Sequence, residues 1–244
     1  MIFSIVCVYN NEEILNDYLL KSLNNQTTDY ELILIDNTQK KFKSAAEAFN
    51  QEGKKAKGKY IIFTHQDVDL CSNTFLNDLE LILDSISNLG IAGAAGKSKE
   101  KVIISNIKEG IPPKFSGKIQ IDTPVKVQTL DECLFIIPRN VFDMVQFDEK
   151  VCNGWHLYAV DYSLSVNEEG LDVYVVPAPI YHKSAGESFS KEYYGILKKL
   201  LNKHKKNYKI VYTTMGNWDS EYPLIIQKIF QRSIFYWTKF KKKF

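Results

Sequence analysis

The 244-residue sequence predicts an α/β fold on a mainly parallel central sheet flanked by helices. Three observations predict it. Runs rich in Ile, Val, Phe and Tyr alternate with stretches of helical spacing through the first hundred residues, the signature of right-handed βαβ units. Those runs are apolar almost without interruption, as strands covered on both faces are. Three of them end in polar clusters: Asn10-Asn11, Asp36-Asn37 and His65-Gln66-Asp67.

The elements follow in order. Residues 2–9 read as a buried strand, and Asn11 is placed to cap a helix whose first turn holds Glu12 and Glu13, where the helix dipole favours acids. Ile14, Tyr18 and Leu19 keep helical spacing. Residues 31–35 form a second strand, 43–57 an Ala-rich helix, 59–64 a third strand, 73–88 a helix and 90–95 a fourth strand. Residues 97–126 carry Gly110, Pro112-Pro113, Gly117 and Pro124, and read as loops and a hairpin. A strand over 131–138 leads into a short helix from Arg139. A helix over 155–169 ends at Gly170. A strand over 171–176 is stopped by Pro177 and Pro179, and an amphipathic helix covers 188–205.

Composition narrows the class. Hydrophobic residues make up 45% and charged residues 25%, which excludes disordered and low-complexity chains. Cys7, Cys71, Cys133 and Cys152 form no CxxC pair, so a zinc ribbon is not expected, and a reducing, cytoplasmic setting is. The short apolar start ending in Asn-Asn-Glu-Glu reads as a strand rather than a signal peptide, and no run is long enough to span a membrane. Charge is uneven. Residues 183–244 hold fourteen basic against four acidic residues, a net +10, whereas the preceding 182 hold seventeen against twenty-five, a net −8. An acidic body with a basic tail points the tail at something anionic. With no RNP or helix-turn-helix pattern, nucleic acid is not the expected partner.

The carboxyl edge of an open parallel sheet is where a nucleotide would lie. No GxGxxG or GxxxxGK[ST] cradle is present; Gly90, Gly93 and Gly96 read as a tightly packed strand end. Diphosphate charge would then be met by a divalent cation. Asp67, with His65 two residues away, and His182 after a later strand are the candidate ligands; imidazole with oxygen donors suits Mn²⁺ better than Mg²⁺. Asp161 shares a helical stripe with Leu157, Val160 and Leu164. A carboxylate there is either paired inside the core or faces a cavity as a general base.

FSIVCVYNNEEIL, ELILIDN and GKYIIFTHQDV resemble the nucleotide half of the family 2 glycosyltransferases, and DECLFIIPRNVF with GWHLYAVDYSLSVNEEGLDVYVVPAPIYHKSAG resembles their acceptor half. The HQDV form is similar to a bacterial glycosyltransferase-like branch. The resemblance implies the GT-A (nucleotide-diphospho-sugar transferase) fold over 1–186, divided into a nucleotide half, 1–96, and an acceptor half, 97–186. A helical basic extension, 187–244, follows. It implies an inverting, metal-dependent glycosyltransferase of hexosyl type, moving sugar from a UDP-sugar or another nucleotide sugar to an acceptor hydroxyl in surface polysaccharide or glycoconjugate synthesis. Carried onto this sequence, it puts Tyr9, Asn11, Asp36, His65, Gln66 and Asp67 on the donor side, with Asp36 at uracil or ribose. Asp131, Glu132, Trp155 and His156 border the acceptor, a glycan or a lipid-linked one. Asp67 and His182 hold the cation, and Asp161 is the base. Two positions depart from the family pattern: His65 replaces the first Asp of the DxD motif, and Val160-Asp161 replaces a Glu-Asp pair.

Two other readings fit a similar sheet, a nucleotidyltransferase and a non-catalytic nucleotide- or glycan-binding module. Residues 225–244 hold six Lys or Arg residues, no acid and ten large apolar residues. They read either as an interfacial helix on an anionic membrane or as a helix whose aromatics pack on protein.

Overall fold

The computed structural model describes residues 1–117, 119–184 and 189–229. The expected boundary at residue 186 and most of the expected interfacial segment lie outside the described residues. Along the chain, β1 (Phe3–Tyr9) leads into α1 (Glu12–Leu15), a π-helical turn (Asn16–Leu20) and α2 (Lys21–Leu23). Next come β2 (Tyr30–Asp36), α3 (Ala45–Gly53), β3 (Tyr60–His65), β4 (Val68–Asp69), α4 (Phe75–Asp84) and β5 (Leu89–Gly93). The middle holds β6 (Ala95–Lys97), β7 (Ile103–Ser105), β8 (Ile107–Glu109), β9 (Lys114–Phe115), β10 (Val125–Lys126) and β11 (Thr129–Leu130). The rest is β12 (Leu134–Pro138), α5 (Arg139–Met144), α6 (Tyr158–Glu168), β13 (Asp172–Val175), β14 (Ile180–His182), α7 (Lys191–His204), β15 (Ile210–Thr213) and β16 (Gly216–Asp219).

Seven strands form the central sheet in the order β10-β13-β5-β12-β3-β1-β2. β2, β1, β3, β5 and β13 share one direction; β12 runs against both its neighbours, as β10 does against β13. The register aligns the strand ends, with Tyr9 opposite Asp36 and Val8 opposite His65. Because β12 is reversed, its first residues lie at this same edge. Leu134 faces Thr64, and the His65 N–H bonds the Cys133 carbonyl at 2.9 Å.

Side chains alternate across the sheet with the pleat. Phe3, Ile5, Cys7, Ile62, Leu134 and Ile136 pack with Leu15, Leu19, Leu76 and Leu79 on one face. Val6, Ile61, Phe63, Phe135 and Ile137 pack with Phe49, Phe142, Leu164 and Leu197 on the other. Both faces are buried, which is why these strands read as continuous apolar runs. Helix starts follow local chemistry. Asn11 Oδ1 accepts from Ile14 N at 3.0 Å, and Ser44 Oγ accepts from Glu47 N at 3.1 Å. The helix expected from Trp155 begins only at Tyr158, because Leu157 takes a left-handed φ of 63° that a right-handed helix cannot contain. The small-residue run packs closely: a Cβ on Gly96 would lie 2.5 Å from the Thr129 carbonyl oxygen.

Past α7, the chain adds the antiparallel hairpin β15–β16, which the sequence reading left inside a helical extension. Trp218 is fully buried there against Tyr193 and Tyr194, so this segment shares the core of the main body.

Phe63 sits at the centre of that core. Its ring centroid lies 4.8 Å from Phe49, 5.3 Å from Phe135, 5.6 Å from Phe142 and 5.4 Å from Phe147. Phe63→Ala is expected to cost about 3–5 kcal/mol in urea unfolding. A loss below about 1 kcal/mol would mean that the cluster closes over the gap.

Candidate active site

The aligned strand ends open into a cavity of about 940 Å³. Tyr9, Asn11, His65, Gln66 and Asp67, expected on the donor side, line it together with Trp155, expected on the acceptor side. Asp36 does not: its exposed carboxylate accepts from Thr38 N at 2.8 Å, which lowers its pKa, and its neighbours Asn37 and Thr38 form the wall instead. Gln66 is occupied in building the edge. Its Oε1 accepts from Asn10 N and Asn11 N, both at 3.0 Å, and its Nε2 donates to Asn10 Oδ1 at 2.8 Å. One amide thereby ties the loop after β1 to the loop after β3.

His65, Asp67 and His182 converge, each offering one ligand atom within 4.8 Å of the others. His182 Nε2 lies 3.2 Å from Asp67 Oδ1 and 3.4 Å from His65 Nδ1. Strand pairing brings them together, since β14 lies antiparallel to β4 with His182 opposite Val68. The Ser184 hydroxyl donates to Asp67 Oδ2, and the Tyr158 hydroxyl holds His65 Nε2 at 2.9 Å. Burial, then the adjacent His182, holds His65 below the ordinary histidine pKa. Burial pulls the same way on His182, but the hydrogen bond and charge of Asp67 outweigh it and leave His182 raised. Burial alone would raise Asp67, yet His182 and Ser184 hold it well below the carboxylate range. Two imidazole nitrogens and one carboxylate oxygen at these separations fit a divalent cation, and Tyr158 supplies the outer contact that orients a ligating imidazole.

A second cavity of about 370 Å³ adjoins the first, sharing His65, Trp155 and Ser184 with it. Asp131, Glu132, His156 and His182 also line it, together with Tyr193 from α7 and Thr213, Thr214 and Met215 from the hairpin. Asp131 Oδ1 accepts from Cys133 N at 3.1 Å, and Oδ2 accepts from Thr214 Oγ1 at 2.9 Å. Burial, then the Asp131 charge, pushes Glu132 well above the carboxylate range; the N–H groups of Leu157, Tyr158 and Ala159 at the start of α6 oppose this. His156 Nε2 lies 3.3 Å from Ser190 Oγ, and burial lowers its pKa against the pull of Glu192.

Residues 4–204 match the family described as a glycosyltransferase-like family. The chain belongs to this family. GalNAc-T7 with UDP, GalNAc and Mn²⁺ superposes with a TM-score of 0.59 at 12% identity, over 84% of this chain and 48% of that one. S. aureus TarS 1–349 with UDP-GlcNAc gives 0.60 at 15% identity, over 83% and 66%. The mannosyltransferase PcManGT of Pyrobaculum calidifontis with GDP-Man and Mn²⁺ gives 0.58 at 12%, over 85% and 65%. At such identities the likeness carries the fold, and that fold is the GT-A fold of glycosyltransferases. A curated relative, ATP synthase subunits region ORF 6 of Fuscovulum blasticum, is 23% identical over 140 residues, 52% of this chain and 53% of its own length. The chain thus spans about half of that relative and half to two-thirds of these structural neighbours.

Within this glycosyltransferase-like fold, Asp161 is a correction to the sequence reading. It is 2% exposed and lines neither cavity. Oδ1 meets His204 Nε2 at 2.9 Å, and Oδ2 accepts from Lys203 Nζ at 2.8 Å. Lys203 also reaches Asp148 at 3.2 Å, and His204 Nδ1 faces Glu168 at 2.8 Å. A carboxylate enclosed by two cationic-type partners cannot take a proton from a substrate it does not face. The stripe spacing placed Asp161 in the core correctly; its partners come from the end of α7, about forty residues on. Three residues of the two cavities escaped the sequence reading: Tyr158, Ser184 and Thr214. The Tyr in H-x-Y-x-x-D and the Ser two places after His182 were visible signals; for Thr214 there was none.

Removing Asp161 takes one of two acidic partners from His204, which is fully buried, and one from Lys203. Asp161→Ala is expected to cost about 3–5 kcal/mol in urea unfolding. A loss below about 1 kcal/mol would mean that the pair does not hold the core and would return Asp161 to the site.

Proposed function

We propose that the chain is an inverting glycosyltransferase that moves a hexosyl group from a nucleotide sugar, a UDP-sugar first among them, to an acceptor hydroxyl. The observation that carries this is the His65, Asp67 and His182 cluster standing where a larger and a smaller cavity meet. The larger one, at the carboxyl edge of the sheet, suits the nucleotide sugar; the smaller suits the acceptor, with Trp155 offering an aromatic face to both. The neighbours solved with UDP-GlcNAc, with UDP, GalNAc and Mn²⁺, and with GDP-Man and Mn²⁺ support the same donor class.

His65, Asp67 and His182 would hold the divalent cation, and their mixed nitrogen and oxygen donors suit Mn²⁺ better than Mg²⁺. Bound there, the cation supplies positive charge against the leaving diphosphate. Asp131 takes the base role in place of Asp161. It lines the acceptor cavity, and its charge is felt at both His65 and His182. Glu132 beside it is held toward the protonated form, which donates rather than accepts. Asp131 takes the proton of the acceptor hydroxyl, whose oxygen bonds to the anomeric carbon. The bond from that carbon to the diphosphate oxygen breaks, and the nucleoside diphosphate leaves with the electron pair. The resemblance to the family 2 glycosyltransferases supports inversion.

The decisive measurement is product analysis with Mn²⁺ and a panel of nucleotide sugars. Release of nucleoside diphosphate is expected; release of pyrophosphate would mean nucleotidyl transfer, and binding without turnover a non-catalytic module. Asp131→Asn should lower kcat at least ~10²-fold and leave UDP binding intact. Asp67→Asn should weaken Mn²⁺ binding by calorimetry. An Asp131→Asn variant with wild-type turnover would eliminate Asp131 as the base.

We further place the protein at an anionic membrane surface on the cytoplasmic side, where a lipid-linked acceptor for polysaccharide or glycoconjugate synthesis would lie. Among the described residues no helix is long and apolar enough to cross a membrane. Support comes from Tyr222, 59% exposed, and Ile225, 70% exposed, at the start of a segment whose sequence continues in Lys, Arg and large aromatics. Six cations near such a surface contribute about 1 kcal/mol each. Full-length protein is expected to co-sediment with phosphatidylglycerol vesicles and a chain truncated at Tyr222 to stay in solution; equal behaviour of the two would remove the anchor.

A further inference from the structure

The family match ends at residue 204, yet the hairpin β15–β16 beyond it supplies three of the residues around the smaller cavity. Its attachment is specific. Gln128 Nε2 donates to the Ile210 carbonyl at 3.1 Å, and Gln128 Oε1 accepts from Tyr212 N at 2.6 Å. The Thr129 hydroxyl donates to the Tyr212 carbonyl. These bonds clip β15 to the strand that ends one residue before Asp131. Behind the hairpin, Trp218 is fully buried against Tyr193 and Tyr194. The turn therefore has a fixed place, and from it Thr214 reaches across the cavity wall to Asp131 Oδ2 at 2.9 Å.

The other hydrogen bonds to Asp131 among the described residues are local and come from Cys133. One oxygen bonded within its own turn and the other bonded from a distant hairpin leave the carboxylate a single rotamer. A base that must meet a hydroxyl at hydrogen-bond distance gains from that restriction.

We propose that the hairpin Ile210–Asp219 forms the acceptor-side wall of the reaction cavity and that Thr214 is a positioning residue for Asp131. The proposal rests on the glycosyl-transfer reading. It assigns to a segment outside the family match the orientation of the base and, through Met215, part of the contact with the acceptor.

The test compares wild type, Thr214→Val and Thr214→Ser in the full chain with Mn²⁺. Nucleoside diphosphate release from UDP-N-acetylglucosamine, UDP-glucose, UDP-galactose and GDP-mannose is followed with water as acceptor, and UDP binding is measured by calorimetry. Thr214→Val keeps the size of the side chain and removes the donor. It is expected to lower kcat about tenfold, the worth of one hydrogen bond to a charged group. UDP affinity and donor KM should stay within about twofold of wild type. Thr214→Ser, which keeps the hydroxyl, should recover most of the rate. Wild-type turnover in Thr214→Val, a Ser variant as slow as the Val variant, or a parallel loss of UDP affinity would each overturn the positioning role. If wild type binds UDP but releases diphosphate from none of the four donors, the glycosyl-transfer reading itself falls, and Thr214 falls with it.

Discussion

The pairing of Asp67 with His182 holds the mouth of this molecule together. Asp67 follows β3; His182 ends β14, more than a hundred residues later. Their 3.2 Å contact is one bond in a seam that includes the β4–β14 pairing and the Lys183 N–H on the Asp67 carbonyl. A carboxylate held well below its usual pKa beside an imidazole raised above its own is a mutual arrangement: each favours the charged form of the other. His65, buried and pushed the opposite way, stands beside them as a neutral nitrogen donor. The site thus keeps donors of two kinds within one small volume.

The reversal of β12 explains how Asp131 and Glu132 reach that volume. In an all-parallel sheet, the residues before a strand lie at the edge opposite the ligand. Here the strand runs backwards between β3 and β5, and Asp131, Glu132 and Cys133 arrive beside His65. α6 then starts over them, its first N–H groups facing Glu132, after a left-handed residue at Leu157. Strained backbone of this kind persists only where surrounding packing over-determines it, and Leu157 sits in a wall of the smaller cavity.

Burial has opposite consequences for the two acids once considered for the same role. Asp161 is enclosed by Lys203 and His204 and spends its charge on holding α6 to α7. Asp131 keeps access to a cavity and is steadied by a hydroxyl rather than neutralised by a cation. A carboxylate in an apolar helical stripe has to be compensated, but the stripe does not say by what. The compensating groups, Lys203 and His204, lay at the end of the next helix, more than forty residues away.

The amino-acid sequence by itself determined the layered fold, because both-face burial writes continuous apolar strands and helix caps write their own Asn and Ser. It also determined the polar strand ends, since only loops at the carboxyl edge tolerate Asn-Asn, Asp-Asn and His-Gln-Asp in succession. Asp67 and His182 were legible as ligand types. What the tertiary structure alone decided were contacts between positions far apart in the chain: Tyr158 on His65, Gln66 as a tie between loops, Asp161 as a core ion pair, and Thr214 on Asp131. Each depends on strand order, on the direction of β12 or on where a hairpin docks. Local spacing carries periods of two and 3.6 residues, and no period reports a partner that arrives by a crossover.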